Sequence, residues 1–117
     1  MKRIVRAAAN SWNGLRFALA SEAAFRQEAA ALAVAVPAAF LIAEDFALRA
    51  LLVAAVLLVL VAELVNTAIE KLADRVTREH DPQIGHVKDL GSAAVALAMA
   101  VAGLLWLSAL AARLGVI

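Results

Sequence analysis

Apolar positions in the first twenty residues recur at helical spacing. Ile4, Ala8, Trp12, Leu15 and Leu19 lie four, four, three and four residues apart, which puts them on one face of a helix. Lys2, Arg3, Arg6 and Arg16 lie alongside. A basic amphipathic helix that carries a Trp is the pattern of a segment lying in the membrane interface, so residues 1–20 are expected to form a surface helix. The charged stretch 21–28, Ser-Glu-Ala-Ala-Phe-Arg-Gln-Glu, opens a second helix, with Ser21 placed to cap it. The apolar run Ala29–Ala43 and the closing pair Glu44-Asp45 predict a first span over about 29–45. That run is short for a bilayer. It contains Pro37, which a spanning helix accepts when neighbours satisfy the freed carbonyl. A second span is predicted over about 46–66, with a polar helical extension to about 77. Residues 78–88 read as a polar loop, with Pro82 and Gly85 as breakers. A third span is predicted over about 90–112. There Ala94, Ala98 and Ala102, and likewise Ala96 and Ala100, recur every four residues, a spacing that lets helices approach closely.

Composition agrees with this reading. Of 117 residues, 65% are hydrophobic and the mean hydropathy is +0.87, too apolar for a soluble domain of this size. The expectation is one all-α membrane domain over residues 1–117. Its parts are three transmembrane helices and one amphipathic surface helix. A cleaved signal peptide is not expected, because the lead before the first apolar run is too long for one. Net charge is only +1, which gives no basis for nucleic-acid binding. Cysteine is absent, which excludes disulfides, thiolate metal sites and Cys nucleophiles. Basic residues cluster before the first span and between the second and third. The positive-inside rule then places the N-terminus and the 78–88 loop in the cytoplasm and the C-terminus outside.

The candidate chemistry lies on the second span. Glu63, Asn66, Glu70 and Asp74 are spaced three, four and four residues apart directly after thirteen apolar residues, Ala50 to Ala62. At 3.6 residues per turn they form one stripe. A carboxylate inside an apolar span costs about 2.5–3.5 kcal/mol or more, so it usually faces a bundle interior and has a task. Glu22, Arg26, Gln27, Glu28, Glu79, His80, Asp81, Lys88, Asp89 and Ser92 fall near the same interface. Carboxylates and an amide without thiolates suit a hard ion such as Mg²⁺. A cation site, a lysine and a further carboxylate are parts of a phosphoryl-transfer site. No Walker A motif and no GxGxxG loop is present. On these residues alone, an ion or proton path and an assembly role for the acids both stay open.

Four segments narrow the choice: Ser11-Trp-Asn-Gly-Leu-Arg16, Glu22-Ala-Ala-Phe-Arg-Gln-Glu28, Glu63-Leu-Val-Asn-Thr-Ala-Ile-Glu70 with Asp74 beyond, and Lys88-Asp-Leu-Gly-Ser-Ala-Ala-Val95. In order and spacing they resemble the bacterial integral-membrane diacylglycerol kinases, and Gly91-Ser92-Ala93-Ala94 resembles the Gram-negative members. The resemblance implies transfer of the ATP γ-phosphate to the primary hydroxyl of diacylglycerol by an inner-membrane homotrimer with shared active sites. It implies Glu63 as the general base, supported by Asn66 and Asp74, and Glu22 and Glu70 as ligands of Mg²⁺. Nucleotide contacts would come from Arg3, Asn10, Glu22, Glu70, Glu79, His80, Asp81, Lys88 and Asp89. Lipid contacts would come from Arg3, Phe25, Arg26, Gln27, Glu28, Glu63, Ser92 and Trp106. The chain departs from the family at Asn10, where an aromatic is common, and at His80-Asp81, where an aromatic followed by His is common. Alternative readings are an undecaprenol kinase and a small non-catalytic membrane subunit.

Overall fold

The computed structural model describes residues 1–117 as four helices: α1 (Lys2–Ser21), α2 (Ala23–Ile42), α3 (Phe46–Val76) and α4 (Pro82–Arg113). There is no strand. α2, α3 and α4 are each long and apolar enough to cross a membrane. At 1.5 Å per residue α2 is about 30 Å long, while α3 and α4 reach about 46–48 Å and project beyond a hydrocarbon core of about 30 Å. α4 packs along α3, α2 packs against α3 and touches α4 more sparingly, and α1 meets chiefly α2.

Glu22 separates α1 from α2 by adopting an extended conformation (φ −115°, ψ 110°). Ser21 does not cap α2. Its hydroxyl donates back to the Phe17 carbonyl at 2.8 Å and to the Glu22 carboxylate at 3.0 Å. The elbow is fastened by Arg26, whose guanidinium donates to the Leu19 and Ala20 carbonyls at 3.0 and 3.1 Å. Those carbonyls end α1 without partners along the helix, so a cation there satisfies both their hydrogen bonding and the helix dipole.

Pro37 lies inside α2, so the helix passes through it, and α2 ends at Ile42 rather than near residue 45. In the turn to α3 the Asp45 carboxylate accepts from Leu48 N–H at 3.0 Å and so caps α3. Arg49 donates to the Ala43 carbonyl at 2.7 Å while its guanidinium lies 4.6 Å from the Phe40 ring centre. Beside this turn lies a small core of Ala39, Ala43, Leu52 and Ala109. Trp106 Nε1 donates to the Leu52 carbonyl there at 2.9 Å, joining α4 to α3.

The predicted loop 78–88 is corrected. Only residues 77–81 are non-helical. Asp81 caps α4 by accepting from Gln83 and Ile84 N–H at 2.9 and 3.2 Å. Pro82 then stands in the first turn, where its missing N–H has no partner to lose. Gly85 is carried inside the helix, at a cost of about 1 kcal/mol. The close-packing stripe of α4 is also shifted: Gly91, Val95, Ala98 and Ala109 are buried, whereas Ala94, Ala96 and Ala100 are exposed.

Candidate active site

The N-terminal ends of α2 and α4 and the C-terminal part of α3 assemble the polar stripe. Glu63 and Glu70 are both half-buried, and Asn66 between them is only 8% exposed. Seven residues of helix separate the two carboxylates by about 10.5 Å along the axis. Glu28 of α2 lies beside Glu63, and the Glu22 and Glu70 carboxylates are close enough to act on Glu63 electrostatically. Glu28 Oε2 is enclosed and has no hydrogen-bond partner. Asn66 Nδ2 donates to Glu70 Oε1 at 3.1 Å, which fixes the position of that carboxylate.

Glu22, at the elbow, pairs with Lys71 at 3.4 Å, and the same ammonium lies 5.2 Å from the Phe17 ring centre. Lys71 therefore holds α1, the elbow and α3 together. Lys88 of α4 pairs with Asp74 of α3 at 2.7 Å. Asp74 lies about two turns past the apolar span. Its carboxylate is held below the ordinary value of 3.8, first by the Lys88 hydrogen bond. Burial opposes this, and the charges of Lys88, Arg78 and Lys71 assist it.

One chain thus brings together Glu22, Glu28, Glu63, Asn66, Glu70, Asp74 and Lys88. Ser92 and Asp89 are exposed on the first turns of α4. Gln27 and Trp106 line one groove between α2, α3 and α4 with Ala30, Val34 and Val56, of about 580 Å³. Phe25 is 2% exposed and acts as packing in this chain rather than as an open lipid contact. Arg26 serves the elbow, and Asp81 serves the cap of α4. Glu79 and His80 are exposed in the 77–81 link, where Glu79 N–H donates to Thr77 Oγ1 at 3.1 Å. Asn10 and Arg3 stand about 18 and 28 Å from Glu22 along α1, so one chain does not bring them to the stripe. Neither Lys71 nor Gly91 was given a role in the site from sequence. The i+1 spacing of Lys71 from Glu70 shows no partner, and Gly91 shows its contact only once α3 and α4 are packed.

No group of three or more His, Cys, Asp or Glu side chains is disposed to hold a metal unaided. Two separate carboxylates, each oriented by a neighbour, fit the way Mg²⁺ is usually held, by one or two carboxylates together with substrate phosphates.

Three membrane-length helices, with a stripe of acids graded from the apolar slab to water, define an integral-membrane protein with an interfacial carboxylate site. The chain matches the prokaryotic diacylglycerol kinase family over residues 9–110, and it belongs to that family. It is 46% identical over 104 residues to a diacylglycerol kinase of Escherichia coli K12, covering 89% of this chain and 85% of the relative. It is 42% identical over 106 residues to one of Pseudomonas aeruginosa (91% and 86%). Against one of Haemophilus influenzae it is 36% identical over 96 residues (82% and 81%).

Proposed function

We propose that this protein is an ATP-dependent lipid kinase of the bacterial inner membrane, converting 1,2-diacylglycerol to phosphatidic acid. The observation that carries the reading is the depth order on α3. Glu63 stands against Glu28 at the edge of the apolar slab, and Glu70 stands two turns nearer water, tied to Asn66. A single rigid helix then presents one carboxylate where a membrane-bound hydroxyl lies and another where a soluble polyphosphate arrives. The groove that runs from Gln27 to Trp106 offers an apolar path for an acyl chain, with a polar group at its cytoplasmic end.

In this mechanism Glu63 accepts the proton of the lipid's primary hydroxyl as its oxygen bonds to the γ-phosphorus. The bond from that phosphorus to the β–γ bridging oxygen breaks, and ADP leaves with the electron pair. Glu28 lies beside the Glu63 carboxylate, and Gln27, Glu28 and Ser92 flank the headgroup. Glu22 and Glu70 would hold the divalent ion. When bound, that ion supplies charge neutralisation across the phosphates. Lys88 faces the phosphates from the Asp74 side as a point charge, with Asp89, Glu79 and His80 around the nucleotide. The chemistry rests on positioning and exclusion of water.

A homotrimer with shared sites is part of the reading. It is supported by the large apolar surface a single chain leaves exposed and by the distance of Arg3 and Asn10 from the stripe within one chain.

Purified protein in lipid or detergent is expected to make phosphatidic acid from ATP and diacylglycerol with Mg²⁺. Glu63→Gln, folded as the parent is, is expected to lose nearly all of that activity. Full activity in that variant would remove the base assignment, and an inert parent would favour a non-catalytic subunit. A parallel assay with undecaprenol decides the acceptor.

A further inference from the structure

The Asn66 carboxamide is clamped in one orientation. Its Nδ2 donates to Glu70 Oε1. The flipped amide would turn its oxygen to a carboxylate, setting acceptor against acceptor. The correct orientation aims Oδ1 away from Glu70, and that oxygen is buried with no hydrogen-bond donor. It points at Gly91 of α4. A Cβ at position 91 would collide with Asn66 Oδ1, stand 3.3 Å from Asn66 Cγ and stand 3.8 Å from Ile69 Cδ1. Only a hydrogen fits there, and a Cα–H facing an amide oxygen is a weak but favourable contact.

The collision involves the tip of a side chain with two torsions. An added methyl is therefore relieved by swinging the Asn66 amide, not by moving α4, and that swing breaks the bond to Glu70.

We propose that Gly91 is a positioning residue for the site, its missing side chain holding the Asn66 amide in the orientation that presents Glu70 to the divalent ion. This rests on Glu70 being a ligand of that ion. Groups that orient a metal ligand typically change metal affinity about 10–100-fold when removed.

The test measures binding of Mn²⁺ with a non-hydrolysable ATP analogue to the purified full chain by electron paramagnetic resonance. Thermal unfolding is followed in the same detergent. Gly91→Ala is expected to bind Mn²⁺ at least about tenfold more weakly, with thermal unfolding close to that of the parent. Gly85→Ala makes the same chemical change in the same helix with no neighbour within 4 Å, and is expected to keep the parent affinity. In an Asn66→Ala background, adding Gly91→Ala is expected to cause no further loss, because the group that the methyl strikes has gone. Parent affinity in Gly91→Ala, or full independent losses in the double variant, overturns the proposal. If Gly91→Ala does not fold, Asn66→Ala/Gly91→Ala is expected to restore folding, and failure to do so also overturns it. A parent that binds no Mn²⁺ would instead remove the assignment of Glu70 on which the proposal rests.

Discussion

Asp74 and Asp81 are separated by seven residues and perform different structural work. Asp81 uses Oδ1 to satisfy two N–H groups at the start of α4. Asp81→Ala is therefore expected to lower stability by about 0.5–2 kcal/mol, with a smaller effect on the KM for ATP, measured by chemical denaturation and steady-state kinetics side by side. Asp74 is charged and bridged to Lys88. Because its folded value is depressed, its stabilising contribution is fully present above the unfolded value and is lost as pH falls through the folded one. The difference in stability between the parent and Asp74→Asn should accordingly stay constant above about pH 5 and shrink below 3.8, as read from unfolding midpoints across pH. A difference that grew on acidification would contradict the bridge. The stripe Glu63–Asn66–Glu70–Asp74 was legible in the sequence because helical spacing alone places those residues on one face. The elbow role of Arg26 and the hold of Lys71 on Glu22 were not legible. Both depend on the angle between consecutive helices, which local pattern does not encode.

At the scale of elements, the apolar runs located all three membrane-length helices, although only the third run reaches the about twenty residues a span needs, while Ala29–Ala43 and Ala50–Ala62 are shorter and were extended by their helical flanks. Their ends were less legible. Pro82 and Gly85 looked like a loop because each breaks helices in isolation. With an Asp one residue ahead of it, the proline starts α4 instead, and packing against α3 carries the helix through the glycine. The small-residue spacing in α4 was visible, but not which of its two alanine stripes faces α3. Gly91 marks the buried face, where the Asn66 side chain of α3 leaves no room for a Cβ. At the end of the bundle away from the acid stripe, the indole of Trp106 ties α4 to the Leu52 carbonyl. Trp106→Phe keeps the ring and removes that bond. It is expected to lower stability by about 0.6 kcal/mol and by no more than about 1.7 kcal/mol, measured by unfolding in mixed micelles. A larger loss would mean that packing of the indole, rather than its N–H, holds the helices.

For the molecule as a whole, only 15 of 117 residues are buried, so one chain covers little of its own apolar surface. Lipid and, in the proposed trimer, other copies of the chain remain to cover it. Cross-linking of the purified protein in lipid is expected to give a ladder that ends at three subunits, and a ladder that stops at one or two would remove the shared-site arrangement. α3 also has a consequence for the membrane in which it sits. It is one uninterrupted helix of 31 residues, so the interval between Glu63 and Glu70 is a fixed length, while the height of Glu63 relative to the lipid headgroups depends on how the bilayer fits the protein. A thinner or thicker bilayer is met by tilt or local deformation. With Glu63 as the proposed base, such a change alters how an acceptor hydroxyl meets it but leaves the proposed donor end in water. Varying the acyl length of host vesicles should thus move the KM for the lipid acceptor and leave the KM for ATP nearly constant, making bilayer thickness a selective control on one of the two substrates.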